Sequence, residues 1–414
     1  MQAAVAFGEF DAALALSAAS AGTIEWAKAV DAEHKRRTRS YFLRADLMFP
    51  THSPYWKVVE AGNEGAYWQL LRTDRATFER ICEHVEAAAV HWRDGFVREY
   101  ARDANGDFLE DEDGNPVMRL KRRRGRPNML DARGVIALTL AWLGSSGPNN
   151  RLLEQIFGIG HSVEDRDILE GLDLLISALL QIPDALVRWP NLAKMIEFDR
   201  MFQAAHGINP FAPYARFFCI TDNLRTTVQR SNLPDEELLD YNRWYRDTNR
   251  NNNITVAPNG KIIHASLNYR GKTHDFTTAA PLFEILQGPL TPPGFAAFGD
   301  SAFVSHQTRR VIADRYNYQP PPEAVSDDPV ERREQFRMYR RLQRKARQSV
   351  EHVYRTLQST WARMKTRLPC EGEMYMKVMR AAILMHNLNS TGGHNQTHTM
   401  YMEAYLRPDR EEVM

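Results

Sequence analysis

Three cysteines, Cys82, Cys219 and Cys370, are too few and too scattered along 414 residues to form a disulfide framework, so a reducing, intracellular location is expected. Cys82-x-His84 followed by His91 lacks a fourth ligand and does not read as a zinc site. No run of 18 apolar residues occurs, so no membrane-spanning helix and no membrane partner are expected. The Ala-rich residues 1–22 end in small side chains but lack a basic start and carry Glu9 and Asp11, so a secretory leader is not expected. A net charge of +1 gives the whole chain no marked pull toward polyanions. The most telling scarcity is local: between Glu334 and Glu371 the only carboxylate is Glu351.

What is present is segregated charge on an ordinary globular composition, 43% hydrophobic and 25% charged, in a chain long enough for two or three domains. Residues 331–367 hold 12 Lys/Arg against 3 Glu. The stretch from Arg344 through Trp361, Met364 and Arg367 reads as one long helix with an apolar stripe and a basic surface. A lone acid in such a helix either neutralises nearby arginines or holds something more positive, such as a divalent metal. Residues 103–113 are the converse, with six acids and no bases. Two turn signals there, Asn105-Gly106-Asp107 and Asp113-Gly114-Asn115-Pro116, suggest a hairpin or solvated loop. A calcium loop fails, because Gly114 at position 6 puts Leu109 and Leu120 at positions 1 and 12. The basic run Lys121–Pro127, with Arg124-Gly125-Arg126-Pro127 at its core, fits an AT-hook, a nuclear localisation signal or a solvated linker.

Taken in order, residues 1–60 begin with an amphipathic helix through Lys35-Arg36-Arg37 and are peripheral. Phe78, Ile81, Cys82 and Val85 predict a helix over 73–89, capped by Thr73 or Asp74. Residues 131–182 are helical. Within them Leu152–Phe157, the break Gly158-Ile159-Gly160 and a new start at Ser162 with Asp165 as capping partner follow a helix-turn-helix plan, which structural hairpins share. After Gly207 the texture turns to strands: Phe217–Ile220 ending at Thr221-Asp222, a hairpin of Asn253–Ala257 and Lys261–Ala265 about Pro258-Asn259-Gly260, and Phe295–Phe298 ending at Gly299-Asp300. Helices are expected over 276–286 and 306–316, then a Pro320–Pro322 loop and the basic helix. This order describes an α/β mixed sheet with helices packed on it. Asp222 and Asp300, each after an apolar strand, could meet at one sheet edge. With a third acid from a crossing helix they would offer hard oxygen ligands to Mg²⁺ or Mn²⁺, although an Asp after a strand also simply favours a turn.

These features together resemble a PIF/Harbinger-type DDE transposase, or a nuclease derived from one, over roughly residues 70–390. Five motifs match in order: Ile220-Thr221-Asp222; Gly271-Lys272-Thr273-His274-Asp275, like Gly-x-x-His-Asp; Gly299-Asp300-Ser301-Ala302-Phe303, like Gly-Asp-Ser-x-Tyr; Arg347–Tyr354 around Glu351; and Ala381–Asn387, like the family's closing Leu-His-Asn helix. The resemblance implies a ribonuclease H-like fold at 209–391, preceded by a peripheral segment (1–66) and a helical region with the helix-turn-helix-like segment (67–208), and followed by a tail (392–414). It implies Asp222, Asp300 and Glu351 as catalytic ligands of two Mg²⁺ or Mn²⁺ ions, cutting phosphodiester bonds at transposon ends with strand transfer as a second step. Arg344, Lys345, Arg347 and Arg355 would contact backbone phosphates. Arg124, Arg126 or the 131–182 helices would read sequence. His274 and Asp275 are either accessory to the site or a structural pair, and His386-Asn387 are core or capping. Double-stranded DNA, a Myb-like partner protein and a homo-oligomer are the implied partners, and the nucleus the implied location.

Two departures stand out. The family follows its first Asp with Gly-Thr, where this chain has Asn223-Leu224-Arg225. The Asp300–Glu351 interval of 51 residues is long, as if the 320–330 loop and an extra basic helix were inserted, which leaves Glu331 and Glu334 as rival third acids. A domesticated DNA-binding or scaffold protein that no longer cuts, and an RNA- or structure-directed nuclease, are the competing functions.

Overall fold

A computed structural model describes residues 53–88, 96–100, 118–122, 130–146, 151–159, 161–231 and 233–391. The expected amphipathic helix through Lys35-Arg36-Arg37, His91, Arg124 and Arg126 of the basic run, and the 392–414 tail lie outside the described residues.

The N-terminal part is helical because its apolar residues recur at helical spacing between explicit caps. Helices α1 (Pro54–Ala61) and α2 (Glu64–Leu71) start at Ser53 and Asn63, whose side chains accept from backbone N–H groups. In α3 (Arg75–Ala88), Asp74 rather than Thr73 is the cap, accepting from Thr77 N at 2.7 Å, and Phe78, Ile81, Cys82 and Val85 are buried as their spacing predicts. A two-stranded hairpin follows, β1 (Phe96–Tyr100) antiparallel to β2 (Met118–Arg122), so the acidic 101–117 stretch connects its strands. Helix α4 (Ala132–Leu143) is apolar nearly all round and sits in the core, with α5 (Arg151–Phe157) and α6 (His161–Leu179) against it. The two-helix plan with a left-handed Gly158 between is present, and α6 begins at His161, one residue before the expected start. Helix α7 (Leu192–His206), capped by Asn191, has no counterpart among the sequence expectations.

The second layer is a six-stranded mixed sheet. Strand β3 (Arg216–Thr227) is central. On one side it pairs antiparallel with β5 (Asp247–Val256), whose far edge carries β6 (Ile262–Arg270) and the short β4 (Tyr241–Asn242), reached through α8 (Pro234–Asp240). On the other side β3 pairs parallel with β7 (Phe295–Phe298), and β7 with β8 (Ile312–Ala313). Three antiparallel strands continued by two parallel ones, with helices on the faces, is the ribonuclease H-like plan. The hairpin about Gly260 forms as expected, Val256 facing Ile262. The expected 276–286 helix is split into α9 (Asp275–Thr278) and α10 (Ala280–Gln287).

Three expectations are corrected. First, β3 does not stop at Asp222; Asn223-Leu224-Arg225 continue it, paired with Asn253, Asn252 and Asn251 of β5. Second, residues 306–316 form no helix: Thr308 closes a turn by donating to the Phe303 carbonyl, and Ile312-Ala313 join the sheet instead. Third, no separate basic helix precedes Arg344. Asp328 caps a single 32-residue helix, α11 (Pro329–Thr360), with proline at its first position.

Helix α12 (Gly372–Thr391) ties the layers together, and one continuous apolar cluster runs through both. Asn387 accepts from Ile262 N and donates to its carbonyl, while Asn389 bonds Thr73 and the Arg72 carbonyl. His386, buried with its Nε2 against the Gly260 carbonyl at 3.0 Å, is held neutral; burial lowers its pKa from 6.5 to about 4. These two residues are therefore core, as one of the sequence readings had it. A folded pKa below the unfolded one means stability present above pH 6.5 and lost as pH falls toward 4. The loss from His386 alone should be about 3 kcal/mol. Urea denaturation at pH 7 and pH 4.5 should show about 2 kcal/mol of this drop, the rest following at lower pH, and it should shrink in His386→Asn. Among the described residues no helix is long and apolar enough to cross a membrane.

Candidate active site

The register places the two aspartates side by side. Ile220 of β3 faces Phe298 of β7, and each strand carries its aspartate two residues further on, at 222 and 300. Asp222 lies mid-strand but just beyond the end of β7, so its side chain is half-buried at an edge rather than sealed between strands. Asp300 turns the chain out of β7, accepting from Ser301 N at 2.6 Å. Gly299 allows that exit, because a Cβ there would lie 3.1–3.4 Å from Ile312, Thr221 and Phe303.

Helix α11 crosses these strand ends in order. Gln343 donates to the Gly299 carbonyl at the end of β7 (3.2 Å). One turn later, Arg347 Nη2 lies 3.3 Å from Asp300 Oδ2 and 3.8 Å from Asp222 Oδ2. Two turns beyond that, the Tyr354 hydroxyl donates to the Asp222 carbonyl (2.7 Å) and the Ile254 carbonyl (3.2 Å). Glu351 stands between Arg347 and Tyr354, four and three residues away, on the exposed flank of the same side of the helix. Glu331 and Glu334 are excluded as rivals: 13 residues separate Glu334 from Arg347, about 20 Å along the axis at 1.5 Å per residue. Their carboxylates instead meet Ser326 and Arg337.

Among the described residues no three His, Cys, Asp or Glu side chains converge into a finished metal site. The donor set nevertheless fits a divalent cation: two carboxylates share one positive group, and a third acid stands a turn away. Burial raises the Asp222 pKa from 3.8 to about 6, opposed by the Asn223 N–H and Arg347 and reinforced by the charges of Asp300 and Asp275.

Of the other sequence candidates, Arg344, Lys345 and Arg355 are exposed on α11, and Arg344 and Arg355 share the stripe of Arg347 and Glu351. His274 and Asp275 do not pair with each other. His274 caps α9, accepting from Phe276 N, while Asp275 accepts from Asn223, Asn251 and Arg225 at 2.8, 2.9 and 3.1 Å. Those bonds hold its carboxyl below the ordinary range despite burial. Because strand neighbours alternate faces, Asn223 and Arg225 turn away from Asp222; Arg225 also stacks on Tyr245, 4.4 Å from the ring centre. Asn223 and Arg225 thus point to the opposite face, and of the replacement for Gly-Thr only the buried Leu224 shares the face of Asp222. Gly271 in the same motif is needed for close approach, since a Cβ would come within 2.3 Å of the Asp240 carbonyl and 2.6 Å of the Asn249 carbonyl.

Sequence reading missed Gln343 and the counter-ion position of Arg347, and it assigned Tyr354 no role. The spacing 343, 347, 354, which keeps one helix side toward a neighbour, was the available signal.

Residues 221–387 match the family model of the DDE superfamily endonucleases. The matched span takes in Asp222, Asp300 and Glu351 and covers less than half of the chain. No curated protein and no solved structure matches. Similarity to this family implies a nuclease that acts on DNA with divalent metal ions.

Proposed function

We propose that this protein is a metal-dependent DNA endonuclease of the PIF/Harbinger transposase type, cutting phosphodiester bonds at transposon ends. The observation that carries the reading is that Asp222 and Asp300, at neighbouring strand ends, share a single cation beneath the helix that bears Glu351. Asp222 and Asp300 supply hard oxygen ligands from the sheet, and Glu351 supplies the third from α11. Two Mg²⁺ or Mn²⁺ ions held there would activate water and stabilise the leaving oxygen of an in-line displacement. Gln343 and Tyr354 fix the helix over the strands, so the backbone that bears Glu351 keeps its place beside the two aspartates. The 3′-hydroxyl freed by the cut would then attack target DNA.

Arg344, Lys345 and Arg355 contact backbone phosphates in this reading. Replacing all three by alanine should reduce the salt slope of DNA binding by about 2–3, near 0.9 per lost contact; a fluorescence-anisotropy titration over salt concentration measures it. The α5–α6 hairpin, or Arg124 and Arg126, would read sequence, aided by a Myb-like partner; a homo-oligomer would hold both transposon ends, and the nucleus is the site of action. Supercoiled plasmid with Mg²⁺ or Mn²⁺ tests the function. The wild type should nick it and Asp300→Ala should not; no nicking by either protein would favour a DNA-binding protein without cleavage, and equal nicking would remove Asp300 from the site.

A further inference from the structure

The cation now shared by the two aspartates belongs to the chain itself. We propose that the Arg347 guanidinium is the resident counter-ion of Asp222 and Asp300 in the metal-free protein, and that a divalent ion binds only by displacing it. The inference rests on the nuclease reading for the identity of the metal site and extends it to how that site is loaded.

The geometry is that of a stand-in. Arg347 Nη2 lies 3.3 Å from Asp300 Oδ2 and 3.8 Å from Asp222 Oδ2, so one positive group is shared by both carboxylates and offsets half of their charge. Two like charges at adjacent strand ends repel unless a cation lies between them. The backbone under Arg347 cannot withdraw, because Gln343 and Tyr354 bond the helix to the strand ends on either side. Its side chain can, being 31% exposed and on the flank of the helix. On leaving, the guanidinium joins the exposed stripe of Arg344 and Arg355, where its planar fork suits a phosphate as well as a carboxylate. The incoming divalent ion would replace the lost positive charge twice over, and the exposed Glu351 side chain, one turn from Arg347, could then turn toward it. Metal loading and release of a phosphate-binding arginine become one exchange.

Mn²⁺ binding to the full chain without DNA, followed by electron paramagnetic resonance of the free ion, tests this without any activity measurement. Arg347→Gln should bind Mn²⁺ roughly fivefold more tightly than wild type, about the worth of one partly exposed ion pair. Arg347→Lys, which keeps the charge, should stay close to wild type. Equal or weaker binding by Arg347→Gln overturns the proposal. Asp300→Asn separates the two layers of inference: if it binds Mn²⁺ as wild type does, the metal-site reading fails, whatever Arg347 does. A measurement on the wild type needs no variant to fold. Mn²⁺ should speed phenylglyoxal modification of Arg347, read by mass spectrometry of its peptide, and an unchanged or slower rate overturns the exchange.

Discussion

Asp222→Asn and Glu351→Gln should each lower the rate of plasmid nicking at least about 10³-fold, the scale on which transition-state charge stabilisation is lost, whereas Glu334→Gln should leave it unchanged. The three substitutions remove a carboxylate charge while keeping side-chain size. Glu351 is exposed and Asp222 is half-buried, so neither change opens a cavity. Asp222→Asn carries its own control. Its carboxyl titrates near 6 in the folded chain against 3.8 ordinarily, so the ionised form costs stability at neutral pH, and the neutral amide should leave the melting temperature level or higher. Lost nicking with undiminished stability is what a functional carboxylate predicts. Loss of both would mean a structural one. Retained nicking by Glu351→Gln would remove the third ligand.

Asp240→Ala should be the most damaging substitution away from the site, costing about 3–5 kcal/mol, as expected when one partner of a buried ion pair is removed. Asp240 closes α8 with its side chain 3% exposed and lies 2.9 Å from Arg250 Nη2, itself 6% exposed on β5. It also meets Arg270 of β6 at 3.0 Å. Arg270 is exposed enough to turn to water, but Arg250 would be left charged inside. Replacing the pair together, Asp240→Leu with Arg250→Met, should recover most of the loss, because no charge then remains buried. Urea denaturation of the single and double variants measures the difference, and a single variant losing under about 1 kcal/mol would contradict the buried pairing.

These two sites mark where the sequence was legible. Phe217–Ile220 and Phe295–Phe298 are short apolar runs bounded by polar residues, and both are strands. Their aspartates could be placed at one edge because strand ends follow from local pattern. The polar half of β3 and the run Arg250-Asn251-Asn252 that leads into the expected strand at Asn253 could not be seen as strands. Asparagine disfavours strands by itself, and here each side-chain NH₂ donates to a distant group: Asn251 to Asp275, Asn252 to Tyr375 and the Leu224 carbonyl, Asn253 to Thr221 and Asn223. The failed helix at 306–316 has the same cause, a parallel partner in β7 that no local window contains. For α11 the cue was local and overlooked: Asp328-Pro329 is a cap followed by proline at the first helical position. Seen as one helix, its rise alone removes Glu331 and Glu334. The spacing 343, 347, 354 marks the side of α11 that faces a neighbour, but that Arg347 reaches both aspartates depends on where the helix crosses the strands.

Helix α12 decides how far the protein can be taken apart. Its Tyr375 hydroxyl bonds Asn252 of β5 and Thr226 of β3, the strand that carries Asp222, while its other end is bonded to Thr73 and the Arg72 carbonyl. Arg363, just before it, reaches the Trp142 carbonyl and Ser145 in the N-terminal helices. The matched segment 221–387 is therefore not a cassette. Excised from the helices before it, it would bare one side of α12 and loosen the β3–β5 pair from behind, so the matched span and the helical layer stand or fall as one folding unit.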